Sequence, residues 1–110
     1  MANLTPFYVY ILECSDGSYY VGLTSDIERR VVEHNQGVYD SYTSRRRPVK
    51  LLWTDTFPDY DQAFAVERQV KKWSRAKKEA LMSGDFELLS RISREAKGAD
   101  HRSHTSTSSV

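Results

Sequence analysis

Cys14 is the only cysteine, so no internal disulfide is possible and a cysteine-based zinc site is excluded. A small buried hydrophobe near the end of a strand is the reading that suits it. Long apolar runs are also missing. The N-terminal run from Phe7 to Leu12 falls far short of the ~20 residues that a spanning helix needs, and nothing resembles a signal peptide. A cytoplasmic protein with no membrane partner is therefore expected. No internal repeat is visible, and 110 residues allow one domain with one modest core but not two.

A strong net charge is absent as well, but the total of +1 conceals a segregation. Residues 1–40 hold two arginines against six acids, whereas residues 41–80 hold ten Lys or Arg against five acids. A polyanion would be met by the middle of the chain, through Arg45, Arg46, Arg47, Lys50, Lys71, Lys72, Arg75, Lys77 and Lys78. A charge run alone is more simply a solvated face.

The stretch from Tyr19 to His34 reads as a short strand turning directly into a charged helix. Ser25 followed by Glu28 has the spacing of a capping box, which starts the helix near Asp26. At about 100° per residue, Ile27, Arg30, Val31 and His34 share a face, and a surface histidine is a serious competitor to any chemical role for His34. Upstream, Phe7 to Cys14 alternates as a strand, with β-branched and aromatic residues. The loop between the strands decides the chemistry. A two-residue Asp16-Gly17 turn would put Tyr10 and Tyr20 on opposite faces, while a three-residue Ser15-Asp16-Gly17 loop pairs Leu12 with Tyr20 and Tyr10 with Gly22. The second register is expected, with both phenols on one face and open space at Gly22 beside the Tyr10 ring.

Past Gly37, a polar loop from Val38 to Pro48 carries Tyr39, Tyr42 and the three arginines, a mobile binding element with two candidate stacking rings. Val49 to Thr54 reads as a third strand, placed centrally because its apolar run is nearly continuous. Asp59 caps a helix from Tyr60 to Trp73, Ser74 caps another that Gly84 ends, and Asp85 opens a last one through Phe86, Leu88, Leu89 and Ile92. Trp53 and Trp73 fall at apolar-periodic positions and read as packing. From Lys97 the Ser/Thr/His-rich end should be disordered, with no role for His101 and His104. The fold class expected is α+β: a small antiparallel three-stranded sheet flanked by helices, one domain over residues 1–96, then the tail.

In the helix after Asp59, Ala63, Val66, Glu67 and Val70 form the inward stripe, which sets one carboxylate on an apolar face. A buried carboxylate must be hydrogen-bonded, ion-paired or bound to a cation. A structural pair with Arg30, a bond to a strand tyrosine and a metal-holding role are about equally good readings of the spacing.

Tyr8-Val9-Tyr10, Tyr20-Val21-Gly22, Arg30 eight residues after that glycine, and the lone Glu67 in a later helix together resemble the GIY-YIG nuclease domain. The resemblance covers about residues 7–82 and is nearest to small stand-alone bacterial members, which share the Asp-Gly-Ser hairpin, the Gly-Leu-Thr-Ser-Asp-Ile-Glu-Arg-Arg and Glu-His-Asn segments, and the Val-Lys-Lys-Trp-Ser-Arg-Ala-Lys-Lys-Glu-Ala-Leu run. It implies Tyr20 as the general base toward the attacking water, Tyr10 beside it holding water or phosphate, and Arg30 neutralising the phosphate. It implies that Glu67 holds Mg²⁺ or Mn²⁺. His34 matches a position that some members use to relay a proton or touch the phosphate. The chain departs from the family pattern at Tyr8, where a glycine is usual, and at Leu23, where some repair-type members have lysine. It also offers no asparagine after Glu67, where some members have one, but Glu79.

The expected activity is metal-dependent endonucleolytic hydrolysis of DNA directed by structure or shape and linked to repair or recombination. RNA is a further possible partner. A nucleic-acid-binding module of the same fold with little or no turnover is the alternative.

Overall fold

The computed structural model describes residues 5–38 and 42–91. Tyr39, Ile92 and the tail residues His101 and His104 lie outside them. The chain divides after Lys71 into two compact units.

The first unit is built on a three-stranded antiparallel sheet of β1 (Phe7–Glu13), β2 (Tyr19–Thr24) and β3 (Lys50–Phe57), in the order β2-β1-β3. Val9, Tyr10, Ile11 and Leu12 are all buried, although they alternate between the two faces of β1. A strand buried on both faces needs cover on both and neighbours at both edges, which is why β1 takes the centre. The central placement expected for the third strand is thus corrected. β3 lies at an edge, its Leu51 is 38% exposed, and a bulge opposite Ile11 and Leu12 leaves Leu52 unpaired.

The hairpin has the three-residue loop. Cys14 N–H donates to Ser18 O at 2.8 Å and Gly17 N–H to Cys14 O at 2.9 Å, while Gly17 takes the left-handed φ of 84° that a side chain would strain. The resulting register pairs Tyr10 with Gly22 and Leu12 with Tyr20.

Helix α1 (Ile27–Gln36) follows β2 within two residues. Its cap is Asp26, whose carboxylate accepts from Arg29 N–H at 3.2 Å, and not the expected Ser25. Thr24 explains the shift by one residue: its hydroxyl accepts from Asp26 N–H at 3.1 Å and turns the strand end so that Asp26 meets the first helical turn. Ile27 and Val31 pack on a cluster of Tyr10, Leu12, Cys14 and Val49. The loop that follows contains a 3₁₀ turn, η1 (Tyr42–Arg45). Asn35 then clasps the approach to β3, because its Oδ1 accepts from Val49 N–H at 2.7 Å and its Nδ2 donates to Val49 O at 3.2 Å.

Helix α2 (Tyr60–Lys72) starts where the Asp59 carboxylate accepts from Gln62 N–H, and buries Ala63, Glu67 and Val70. In the second unit, α3 (Arg75–Ser83) is capped by Ser74 and ended by Gly84. Residues 86–91 are helical, with the Asp85 carboxylate accepting from Leu88 N–H. A three-stranded antiparallel sheet together with helices makes this a fold of the α+β class, as the pattern of periods predicts.

Candidate active site

Register is what assembles the site. Pairing Tyr10 with Gly22 lays the Tyr10 ring over the glycine so closely that a β-carbon there would fall inside the phenol. The open space expected beside that ring is filled by the ring itself. Tyr20, two residues before Gly22 on the same face, brings its ring to 6.4 Å from that of Tyr10.

Behind both rings stands His34. Its Nε2 is 3.1 Å from the Tyr10 hydroxyl, its Nδ1 is 2.7 Å from Thr43 Oγ1, and it is 3% exposed, so the surface-histidine reading is excluded. A neutral imidazole has one donor and one acceptor. Either Nδ1–H donates to Thr43 while Nε2 accepts from Tyr10, or Thr43 donates to Nδ1 while Nε2–H donates to Tyr10. Burial, and then the nearby Arg30 guanidinium, push the imidazole pKa below its ordinary value, with Glu33 acting weakly the other way. Both depressing effects favour the neutral form of the ring.

In front of the phenols opens a cleft of about 370 Å³ lined by Tyr10, Tyr20, Gly22, Thr24, Ser25, Arg30 and Glu67, with Phe7, Tyr60 and Phe64 at its α2 side. Four of the five residues expected to carry chemistry thus share one concavity. His34 does not line it but stands directly behind, 3.1 Å from the Tyr10 hydroxyl and with its ring 5.2 Å from that of Tyr20.

Glu67 is 8% exposed and its partner is Lys71 on its own helix, at 3.1 Å from Oε2, and not Arg30. Arg30 Nε instead lies 3.6 Å from Glu33. Among the described residues no group of three or more His, Cys, Asp or Glu gathers that could cage an ion. A single carboxylate beside phenol and hydroxyl oxygens fits a hydrated Mg²⁺ or Mn²⁺, which keeps several waters and shares oxygens with a substrate phosphate. It does not fit a soft or fully enclosed metal.

The basic residues divide. Arg46 is engaged with Asp16 at 3.1 Å and with Tyr42 O at 2.9 Å, and its guanidinium covers the Tyr42 ring at 3.9 Å. Arg47 donates to Ser44 O and Asn35 O and lies across Gly37. Both therefore tie down residues 42–47 of the loop expected to be mobile. Arg45 is exposed and, with Arg47, Asn35, Ser44 and Pro48, lines a second hollow of about 530 Å³, and Lys50 is exposed at the start of β3. Tyr42 stacks nearly parallel on Tyr20 with centroids 6.4 Å apart. In the second unit Lys72 is exposed, Arg75 pairs with Glu79 at 3.1 Å, Lys77 lies over Trp73, and burial lowers the pKa of Lys77 and Lys78. Lys71 lies in the first unit and pairs with Glu67.

Sequence reasoning missed Thr43 and Asn35, whose partners lie across a polar loop that carries no period. It also missed Tyr60 and Phe64. The available signal was two aromatics four residues apart, a spacing that sets them side by side on a helix, directly before Glu67.

This constellation, on a sheet of this order, defines a class. The chain belongs to the GIY-YIG family, whose catalytic-domain model matches residues 6–80. That domain is a nuclease domain, generally dependent on a divalent metal, and implies a nucleic-acid substrate. Within it, the chain is similar to small stand-alone proteins. It is 50% identical over 74 residues to the UPF0213 protein VNG_2274C of Halobacterium salinarum, covering 67% of this chain and 96% of the relative. It is 45% identical over 89 residues to the UPF0213 protein BH0048 of Halalkalibacterium halodurans, covering 78% and 95%. The solution NMR structure of protein EF2693 from E. faecalis matches with a TM-score of 0.54 at 40% identity, covering 80% of this chain and 93% of that one. Among the described residues no helix is long and apolar enough to cross a membrane.

Proposed function

We propose that the chain is a metal-dependent endonuclease that hydrolyses phosphodiester bonds in DNA, selects its substrate by shape, and serves repair or recombination in the cytoplasm. The observation that carries this is the convergence of Tyr10, Tyr20, Arg30 and Glu67 on one cleft, with neutral His34 bonded behind Tyr10.

In this reading Tyr20, ionised to its phenolate, takes a proton from the attacking water, whose oxygen forms the new bond to phosphorus as the bond to the 3′ oxygen breaks and that oxygen takes a proton from solvent. A phenol with an ordinary pKa near ~10 is a poor base at neutral pH, so it needs positive charge beside it and a group to receive the proton. Arg30 supplies charge against the phosphate oxygens. Tyr10 positions the water, and His34 acts as a positioning residue that fixes the Tyr10 hydroxyl; in the tautomer whose Nε2 accepts from Tyr10 it can also relay a proton. A divalent ion held by Glu67 would neutralise the phosphate and the leaving oxygen. In the first unit Arg45 and Lys50 are the cations for the nucleic-acid backbone, and within the second unit, taken by itself, Lys72, Arg75 and Lys78 are; backbone contacts carry no sequence information in themselves.

Nicking of supercoiled plasmid and of branched DNA with Mg²⁺ or Mn²⁺ tests this. Glu67→Ala, Arg30→Ala and Tyr20→Phe should each lower the rate by about a hundredfold or more. Cutting at the wild-type rate by all three refutes the mechanism. The Glu67–Lys71 pair favours a second reading, a binding module with little turnover, because a lysine already satisfies the carboxylate. Salt-dependent DNA binding without any metal-dependent product from the wild type would establish it.

A further inference from the structure

Tyr10 is fixed at its hydroxyl by His34. Tyr20 is fixed by rings: His34 meets it edge-on at 5.2 Å, Tyr10 lies tilted at 6.4 Å, and Tyr42 stacks at 6.4 Å with planes 19° apart. The first two stand on α1 and β1, where helix and sheet hold the backbone. The third stands on η1, a turn of four residues. A turn that short has little rigidity of its own, so whatever holds η1 also holds the ring stacked on Tyr20.

Arg46, directly after η1, makes that hold. Its guanidinium lies 3.9 Å from the centre of the Tyr42 ring, its Nη1 donates to Tyr42 O at 2.9 Å, and its backbone N–H donates to Thr43 O at 2.9 Å. The same residue also grips the hairpin loop between β1 and β2. Its Nε donates to Asp16 Oδ2 at 3.1 Å, and its backbone O accepts from Ser15 N–H at 2.8 Å. Asp16 is itself steadied, because its Oδ1 accepts from Ser18 N–H at 3.0 Å and from the Ser18 hydroxyl. That loop leads into β2, which begins one residue before Tyr20. Arg46 therefore joins the segment that carries Tyr20 to the ring stacked on it.

In the sequence Arg46 is one of three arginines in a row that would meet a polyanion. In the fold its guanidinium is matched by a carboxylate, a carbonyl and a ring face. We infer that Arg46 is a positioning residue for Tyr20, acting through Tyr42 and anchored on Asp16, and not a contact to the nucleic-acid backbone. The inference rests on the hydrolytic reading of the cleft, in which Tyr20 is the base, and names the residues that keep that base in place. A reacting group displaced by about 1 Å can cost on the order of a hundredfold in rate. Strand binding through other cations does not depend on that position, so turnover should fall while affinity stays.

DNA binding without divalent metal and nicking with Mg²⁺ test this together. Arg46→Gln and Tyr42→Leu should each lower kcat by about tenfold with KM and DNA affinity unchanged, which also excludes misfolding. Tyr42→Phe, which keeps the ring for both contacts, should retain the rate. Arg46→Gln should bind DNA with the salt dependence of the wild type, whereas a lost phosphate contact lowers that slope by about 1. Asp16→Asn should lower kcat as Arg46→Gln does, with the double variant no worse than either single one. A reduced salt slope in Arg46→Gln overturns the inference, as does a kcat that it leaves unchanged. So does DNA binding tightened by Asp16→Asn only while Arg46 is present, since an arginine freed from its acid would then be the phosphate contact. Tyr20 is also read without turnover: its aromatic proton–carbon NMR signals should shift in Arg46→Gln and Asp16→Asn, as in Tyr42→Leu, and stay in place in Arg45→Gln. If the wild type cuts no DNA while these shifts appear, the hydrolytic reading fails and the placement of Tyr20 by Arg46 stands. If it cuts and the shifts are absent, the inference fails and the hydrolytic reading stands.

Discussion

Gly22 carries more of the site than any charged residue, because the Tyr10 ring occupies the volume of its absent side chain. Gly22→Ala should destabilise the protein by about 1–3 kcal/mol through overpacking. It should also depress nicking well below the melting temperature, because the displaced phenol loses its place on His34. A thermal melt followed by activity measured far beneath its midpoint separates the two effects, and an alanine variant that cuts normally would show that ring placement is irrelevant. The pairing behind this contact was legible in the sequence: Ser15-Asp16-Gly17 allows a loop of only certain lengths, and loop length fixes register. The ring's position over the glycine was not, since register gives the partner of a residue and not the rotamer it adopts. Thr43 was equally hidden. Nine residues after His34 in a polar loop, it has no period to mark it, yet its hydroxyl holds the imidazole.

Between elements, the clasp of Asn35 on Val49 ties the end of α1 to the approach to β3 and satisfies both backbone groups of a residue that is 6% exposed. Asn35→Ala removes both partners at once. With each unsatisfied buried group costing about 1–3 kcal/mol and water reaching part of the gap, a loss of about 2–3 kcal/mol is expected. For a domain of this size each kcal/mol corresponds to about 4–8 °C, so a melting-temperature fall under 5 °C would contradict the assignment. The caps at Asp59, Ser74 and Gly84 were readable because capping is a matter of residue type at a fixed offset. The place of β3 was not. Its apolar run suits a buried strand, but whether a strand is central depends on which strand has cover on both faces, and that is settled by the competition of β1 for the middle.

For the whole molecule, His34 is the group through which acidity is felt. Its pKa is depressed from 6.5 by burial first and by Arg30 second, so the unfolded chain binds a proton more readily than the folded one. Its contribution to stability is therefore complete above pH 6.5 and is lost as pH falls through the lower folded value. The urea midpoint should drop between pH 7 and pH 5, and His34→Gln, although less stable at pH 7, should lack that drop. A wild-type midpoint that does not move over this range would show that the imidazole is not held neutral.

The outer flank of the sheet at β3 has one more effect. Lys50 sits at the strand's start, Leu52 breaks the ladder, and Thr54, Asp55 and Thr56 are exposed along it. An interrupted, charged and polar margin is a poor template for a stranger's backbone, so the same irregularity that lets β3 follow β1 also discourages neighbouring molecules from growing fibrils on it.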